Sequence, residues 1–230
     1  MYKRTYSLTL LLLTSLSLSS QVSASLILEQ YASGTETPST LGGYSMTDFA
    51  ITNGAGGTTT SISSPINGSL NFVDKYGNAA NMSRDLANSA DWWINGESSD
   101  YDIFTTDKHL ITLILPEDTV AFSFNVGADV GGTGNNAWLT AKETDGSGID
   151  TKHWFNVNRT NTPGFGLYTD NSQGSCSTIS SVTIDPLLWG FGNFSINQSG
   201  CSIGVPSPST IALLSLGLLG LGAIRKKSNS

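Results

Sequence analysis

The sequence predicts an all-β protein whose central part folds as an antiparallel β-sandwich. Three observations carry that reading. Apolar residues in the body recur at every second position and not at helical spacing. Turn-forming pairs punctuate these runs: Asn53-Gly54, Asn67-Gly68, Asn95-Gly96, Gly131-Gly132, Asp145-Gly146 and Pro163-Gly164. The body from Ser25 to Gly204 spans about 180 residues, enough for one domain with a full-sized core.

Taken in chain order, residues 1–24 come first and read as a secretory signal peptide. Lys3 and Arg4 form a positive start, Leu8–Leu18 an apolar run, and Val22-Ser23-Ala24 a small-residue cleavage site. Glu29 then opens the first mature strand. With acidic loops such as Asp145–Asp150 it is a candidate oxygen ligand for a structural Ca²⁺, although no run has EF-hand spacing. Leu70 and Phe72 mark a strand, and Asn81–Asn88 is the one stretch expected to make a helical turn or two.

Next comes Asp91-Trp92-Trp93-Ile94-Asn95-Gly96-Glu97-Ser98-Ser99-Asp100-Tyr101-Asp102, the richest local segment. It admits three readings. In the first, one indole is core, the other covers an edge, and the acids solvate a loop. In the second it is a sugar site: Trp92 and Trp93 stack on sugar C–H faces while Asp91, Asn95 and Asp100 take hydroxyls. In the third the acids work as a glycosidase pair. If the segment is a strand, the two indoles face opposite sides.

Ile111, Leu113 and Leu115 alternate with Thr112 and Ile114. Val120, Phe122, Phe124 and Val126 alternate with Ala121, Ser123 and Asn125. Gly127–Asn136, with Asp129, reads as a hairpin connection or a ligand lip. Phe155 with Val157, and Val182 with Ile184, mark further strands. The last strand slips phase at Gly192-Asn193, between Trp189/Phe191 and Phe194/Ile196, so a bulge is expected there. The only cysteines, Cys176 and Cys201, are expected to form a disulfide in an exported protein. It would close a loop of about 26 residues, worth ~3–4 kcal/mol.

The chain ends with Val205-Pro206-Ser207-Pro208-Ser209-Thr210, an uncharged apolar run Ile211–Ile224, and the basic stop Arg225-Lys226-Lys227. The run is short against the ~20 residues that cross a bilayer core. The two prolines keep the preceding chain extended, and the cations hold the tail on the cytoplasmic side. This pattern resembles the PEP-CTERM sorting signal of exported proteins in Gram-negative, exopolysaccharide-making bacteria, with Ser207 where that family usually has Glu. The resemblance implies a sorting helix within residues 205–230 and cleavage near Val205–Pro208 by an exosortase-type membrane enzyme. It also implies transient anchoring in the inner membrane, then delivery to the cell surface or extracellular matrix.

Leu115-Pro116-Glu117, Val120–Phe124, Ile179–Ile184 and Trp189-Gly190-Phe191-Gly192-Asn193-Phe194 are similar to the jelly-roll-like (concanavalin-like) domain common in such proteins. Gly-Phe-Gly-Asn-Phe stands where the family often has Gly-Ile-Asp-Asn-Phe.

Charge and motifs narrow the function. All 18 acidic residues lie in the body, against six basic ones: Lys75, Arg84, Lys108, Lys142, Lys152 and Arg159. A formal charge near −12 argues against a nucleic-acid partner. No Gly-x-Ser-x-Gly, His-Glu-x-x-His or Gly-x-x-x-x-Gly-Lys motif occurs, and His109 and His153 read as surface imidazoles at strand ends. The expectation is therefore a non-enzymatic, exosortase-processed protein with a structural or adhesive role in an exopolysaccharide biofilm. A lectin-like carbohydrate-binding module is the alternative, and a glycan hydrolase stands third.

Overall fold

The computed structural model describes residues 25–51, 56–90, 92–93, 102–131, 135–170, 177–185 and 189–200. The signal peptide, the sorting signal Val205–Pro208 with its basic stop, Asp91, Asn95, Asp100, Cys176 and Cys201 lie outside the described residues.

The chain is all-β and builds two antiparallel sheets around one core. The eight-stranded sheet runs β1 (Ser25–Tyr31), β14 (Gly164–Asp170), β11 (Ala121–Ala128), β16 (Trp189–Asn197), β9 (Asp102–Thr106), β8 (Met82–Leu86), β5 (Thr58–Thr59). The eighth strand, β4 (Thr47–Asp48), pairs with the far end of β16. The six-stranded sheet runs β13 (Gly148–Asn156), β12 (Asn136–Glu143), β15 (Ile179–Asp185), β10 (Ile111–Ile114), β7 (Ser69–Asp74), β6 (Ser61–Ser63). A separate hairpin joins β2 (Thr40–Leu41) to β3 (Tyr44–Ser45). Gly42 (φ +58°) and Gly43 (φ +85°) supply the two left-handed residues that its tight turn requires.

Period-two patterning sorts the faces. Leu70, Phe72, Ile111, Leu113, Leu139 and Ile184 point inward from the six-stranded sheet. Phe104, Phe122, Phe124, Val126, Phe165 and Phe191 meet them from the other, and all are buried. Phe72 spans the gap, its ring 5.4 Å from that of Phe104 and 5.5 Å from that of Phe191. Phe155 and Phe165 close the other end at 4.7 Å.

β11 is buried on both faces. Its outward residues are small or polar because the chain folds back over them. Ser123 shares a hydroxyl hydrogen bond of 2.6 Å with Ser195, and Asn193 Nδ2 donates to Asn125 Oδ1 at 3.1 Å. Gly166 of β14 is roofed by Leu41 and Tyr31: a Cβ there would lie 2.8 Å from Leu41 Cδ1 and 2.7 Å from the Tyr31 hydroxyl.

The bulge in β16 sits at Asn193, whose φ is +54°. Ser123 pairs with Ser195 but Asn125 pairs with Gly192, so Asn193 and Phe194 together face Phe124. The resulting bend lets β9 pair with β16 before the bulge and β4 after it.

Two expectations differ from the structure. Met82–Leu86 is a strand between β9 and β5, and only Ala87–Ser89 turns as a short 3-10 helix. A segment this short gains more from sheet pairing on both sides than from one or two isolated helical turns. The turn expected at Pro163-Gly164 lies earlier, at Asn158–Asn161, where Asn158 Oδ1 accepts the Thr160 amide at 2.8 Å. Gly164 already opens β14. Among the described residues, no helix is long and apolar enough to cross a membrane.

Candidate functional site

Trp92 and Trp93 do not lie on a strand. They follow the 3-10 turn in the connection from β8 to β9, where the Trp93 amide donates to the Ala90 carbonyl at 3.0 Å. Strand alternation does not apply in a turn, and both indoles settle on the outer surface of the eight-stranded sheet. Two glycines make the seat. A Cβ on Gly127 of β11 would lie 2.7 Å from Trp93 Cε3 and 3.2 Å from Trp92 Cζ3. One on Gly190 of β16 would lie 3.0 Å from Trp92 Cη2. The rings meet edge to face, 5.8 Å apart at 79°. Trp93 is 7 % exposed and packs with Ala87 and Ile103. Trp92 is only partly buried.

Beside Trp92 opens a cleft of about 430 Å³. From β8 and the residue before it come Ser83, Asp85 and Asn81. From β9 and the residue after it come Thr105, Thr106 and Asp107. Asp129, just past β11, and Trp189, which opens β16, complete the wall. Trp189 is fixed by its indole N–H, which donates to the Lys108 carbonyl at 3.0 Å.

Cations pair with two of the three carboxylates. Arg159 Nη2 lies 2.5 Å from Asp129 Oδ1, and Lys108 Nζ lies 3.6 Å from Asp107 Oδ1. On the core side of the same strands, Arg84 Nε lies 3.7 Å from buried Asp102, with its guanidinium 5.6 Å from the centre of the Phe104 ring. The cleft thus combines an apolar ring surface with amide, hydroxyl and carboxylate groups. That set matches the C–H faces and the hydroxyls of a sugar.

Glu29 lies elsewhere on the outer surface, near the other edge of the sheet. The Tyr31 hydroxyl donates to one of its oxygens at 2.7 Å and the Tyr168 hydroxyl to the other at 3.2 Å. Burial first, then the bond to Glu29, pushes the Tyr31 phenol well above its ordinary range. The same two causes raise Tyr168. Among the described residues, no three His, Cys, Asp or Glu side chains converge as metal ligands.

His109 Nδ1 stands 3.8 Å from Asp185, and His153 Nε2 meets Gln30 at 2.9 Å, tying β13 to β1.

Of the residues singled out in the sequence around the tryptophans, the structure brings Trp92 to the cleft and puts Trp93 beneath it. Asn81, Ser83, Asp85, Thr105, Thr106, Asp107 and Trp189 were not singled out. One signal for them stood in the sequence. Gly127 and Gly190 alternate with core residues on two neighbouring strands, which marks a place where something packs directly on backbone. No family model matches the chain, and a search of the curated proteins finds no match.

Proposed function

We propose that this chain is an exported, exosortase-processed protein of the cell surface or matrix that binds polysaccharide in the Trp92 cleft. In that reading it serves a structural or adhesive role and does not cleave its ligand. The observation that carries the binding role is the cleft itself. A partly exposed indole is held against glycine backbone, with carboxylates, hydroxyls and an amide around it. The export role rests on the ends of the sequence and on their resemblance to the PEP-CTERM arrangement. A jelly-roll-like architecture is supported by the way the chain crosses between the two sheets at β5–β6, β7–β8, β9–β10, β10–β11, β11–β12, β13–β14, β14–β15 and β15–β16.

Affinity electrophoresis of the exported protein through gels containing neutral glucans tests the binding role. Retardation is expected without release of reducing sugar, and Trp92→Ala should weaken it about fivefold, the worth of one stacked ring. Equal retardation of wild type and Trp92→Ala would remove the cleft from the reading. Sugar release that stops when Asp85 is changed would replace it with hydrolysis. Intact mass tests the export role. Surface-released protein should end near Val205–Ser209, and a mass that still includes Ser230 would refute processing.

A further inference from the structure

We infer that the outer face of the six-stranded sheet carries a second glycan site, one selective for acidic polysaccharide such as a uronic-acid polymer. On β12 and β13 the inward positions are filled by Ala137, Leu139 and Phe155, so strand parity sends Trp138 and Trp154 outward. The two stand directly opposite each other across the strand pair. Side chains so placed start about 5 Å apart, close to the spacing of consecutive sugar rings in an extended chain. Trp154 is 59 % exposed and is the one exposed tryptophan among the described residues. Together with the half-buried Trp138 opposite, it forms a two-ring apolar patch, and contiguous exposed apolar patches mark interaction surfaces.

Lys152 shares this face. Its ammonium sits 4.0 Å from the centre of the Trp138 ring and 5.7 Å from that of Trp154, held by cation–π attraction. Lys142 lies further along β12 on the same side, opposite Ser181. Neither lysine pairs with a carboxylate among the described residues, whereas Lys108 and Arg159, at the cleft, both do. The aromatic row continues to Asp185, which lies beside His109. Next to it runs a hydroxyl row of Thr140, Thr183 and Thr112, the last two bonded at 2.8 Å.

Ring faces for sugar C–H groups, hydroxyls for hydroxyls and two ammoniums with no carboxylate partner among the described residues, one of them resting on the rings, describe an acidic glycan. A protein partner is less well matched. Apart from Trp154, the strands of this sheet expose only one large apolar side chain, Ile114 at 38 %. A stable protein interface needs about 800 Å² from each side with an apolar centre. The body's overall negative charge does not forbid the ligand. At physiological ionic strength fields decay over about 8 Å, and the carboxylates of the cleft lie on the opposite sheet, about 10 Å away or more.

If the cleft also binds glycan, which rests on the proposed function, one body grips two strands on opposite faces and cross-links them. The platform itself does not depend on that reading. The test uses the exported protein with two probes, polygalacturonate and a neutral glucan, and the variants Trp154→Ala, Lys152→Gln and Trp92→Ala. Wild type should bind polygalacturonate. Trp154→Ala should weaken that binding about fivefold or more with its melting temperature unchanged, since the ring is exposed. Lys152→Gln should weaken it and flatten its salt dependence. Trp92→Ala should leave it intact and affect the neutral glucan only. That pattern supports the platform even if the neutral glucan is never bound and the cleft reading falls. Failure of wild type to bind polygalacturonate overturns the platform, as does unchanged binding by both Trp154→Ala and Lys152→Gln. Loss of polygalacturonate through Trp92→Ala alone overturns it too, while leaving the cleft standing.

Discussion

Gly127→Ala tests whether the two indoles rest on β11. The added methyl would lie 2.7 Å and 2.9 Å from Trp93 Cε3 and Cζ3, and 3.2 Å from Trp92 Cζ3. Carbon atoms pack best about 3.5–4.0 Å apart, so Trp93 must retreat by about 1 Å. The retreat pulls its ring from Ile103 and Ala87, the rest of its small cluster. Overpacking of this kind costs ~1–3 kcal/mol. Replacing a strand glycine returns ~0.4–1 kcal/mol by restricting the unfolded chain. The balance is a loss of ~0–2.6 kcal/mol, and its centre, ~1.3 kcal/mol, lowers the melting temperature by about 3–5 °C in a domain of this size.

Gly131→Ala is the control, because a Cβ there meets nothing within 4 Å. It should be neutral or slightly stabilising. Thermal unfolding followed by near-ultraviolet circular dichroism reads stability, and tryptophan emission reports the local shift. Neutral-glucan affinity should fall along with stability in Gly127→Ala. If that variant melts with the control and its emission is unchanged, the indoles do not sit on this strand and the cleft loses its wall.

Trp93→Ala should cost ~3–5 kcal/mol as a large-to-small change at a buried ring, whereas Trp92→Ala should weaken glucan binding with a much smaller fall in melting temperature. Equal melting curves for the two would make both indoles structural. The Tyr31 and Tyr168 phenols are held protonated above their ordinary value of 10.0 by burial and by Glu29. Their contribution to stability is therefore complete below about pH 10 and is lost as pH climbs through the raised values. Phenolate absorbance should show late-titrating tyrosines, the latest of them missing in Tyr31→Phe, and titration of every phenol near 10 would contradict the Glu29 arrangement. Cys176 and Cys201 should be bridged. Described residues close to each of them in sequence are tied to one turn, since Ile179 N–H donates to the Thr119 carbonyl at 2.7 Å and Gly200 N–H to the Asp118 carbonyl at 3.3 Å. Thiol labelling of the unfolded, unreduced protein should find nothing, and two labels would refute the pairing.

The sheets were legible wherever apolar residues recurred at every second position. Ile111–Ile114, Val120–Val126 and Val182–Ile184 fall in β10, in β11 with the residue just before it, and in β15, each with the inward set the pattern implies. The bulge at Asn193 was legible because a phase slip is itself a pattern. Met82–Leu86 was not, because only one of its inward positions, Met82, is fully apolar and buried. The others, Arg84 and Leu86, sit near the sheet edge, Arg84 beside Asp102. A strand that carries an ion pair on its inner face gives no hydrophobic alternation to read.

The Trp138–Trp154 pair shows a sharper limit. From the hairpin outward, Lys142 pairs with Gly148 and Ala141 with Ile149. Continued without interruption, that register would set Trp138 opposite Lys152. Instead Leu139 pairs with His153 and Trp138 with Trp154, because β13 carries two extra residues at that point. A two-residue insertion keeps parity, so the outward direction of both tryptophans follows from the sequence alone. Their partnership does not. The bulge moves Trp154 level with Trp138 and leaves Lys152 free to lay its ammonium over the Trp138 ring. Alternation thus decides which face a residue takes, and register decides what it meets there. Register is what brings Trp138, Trp154 and Lys152 together.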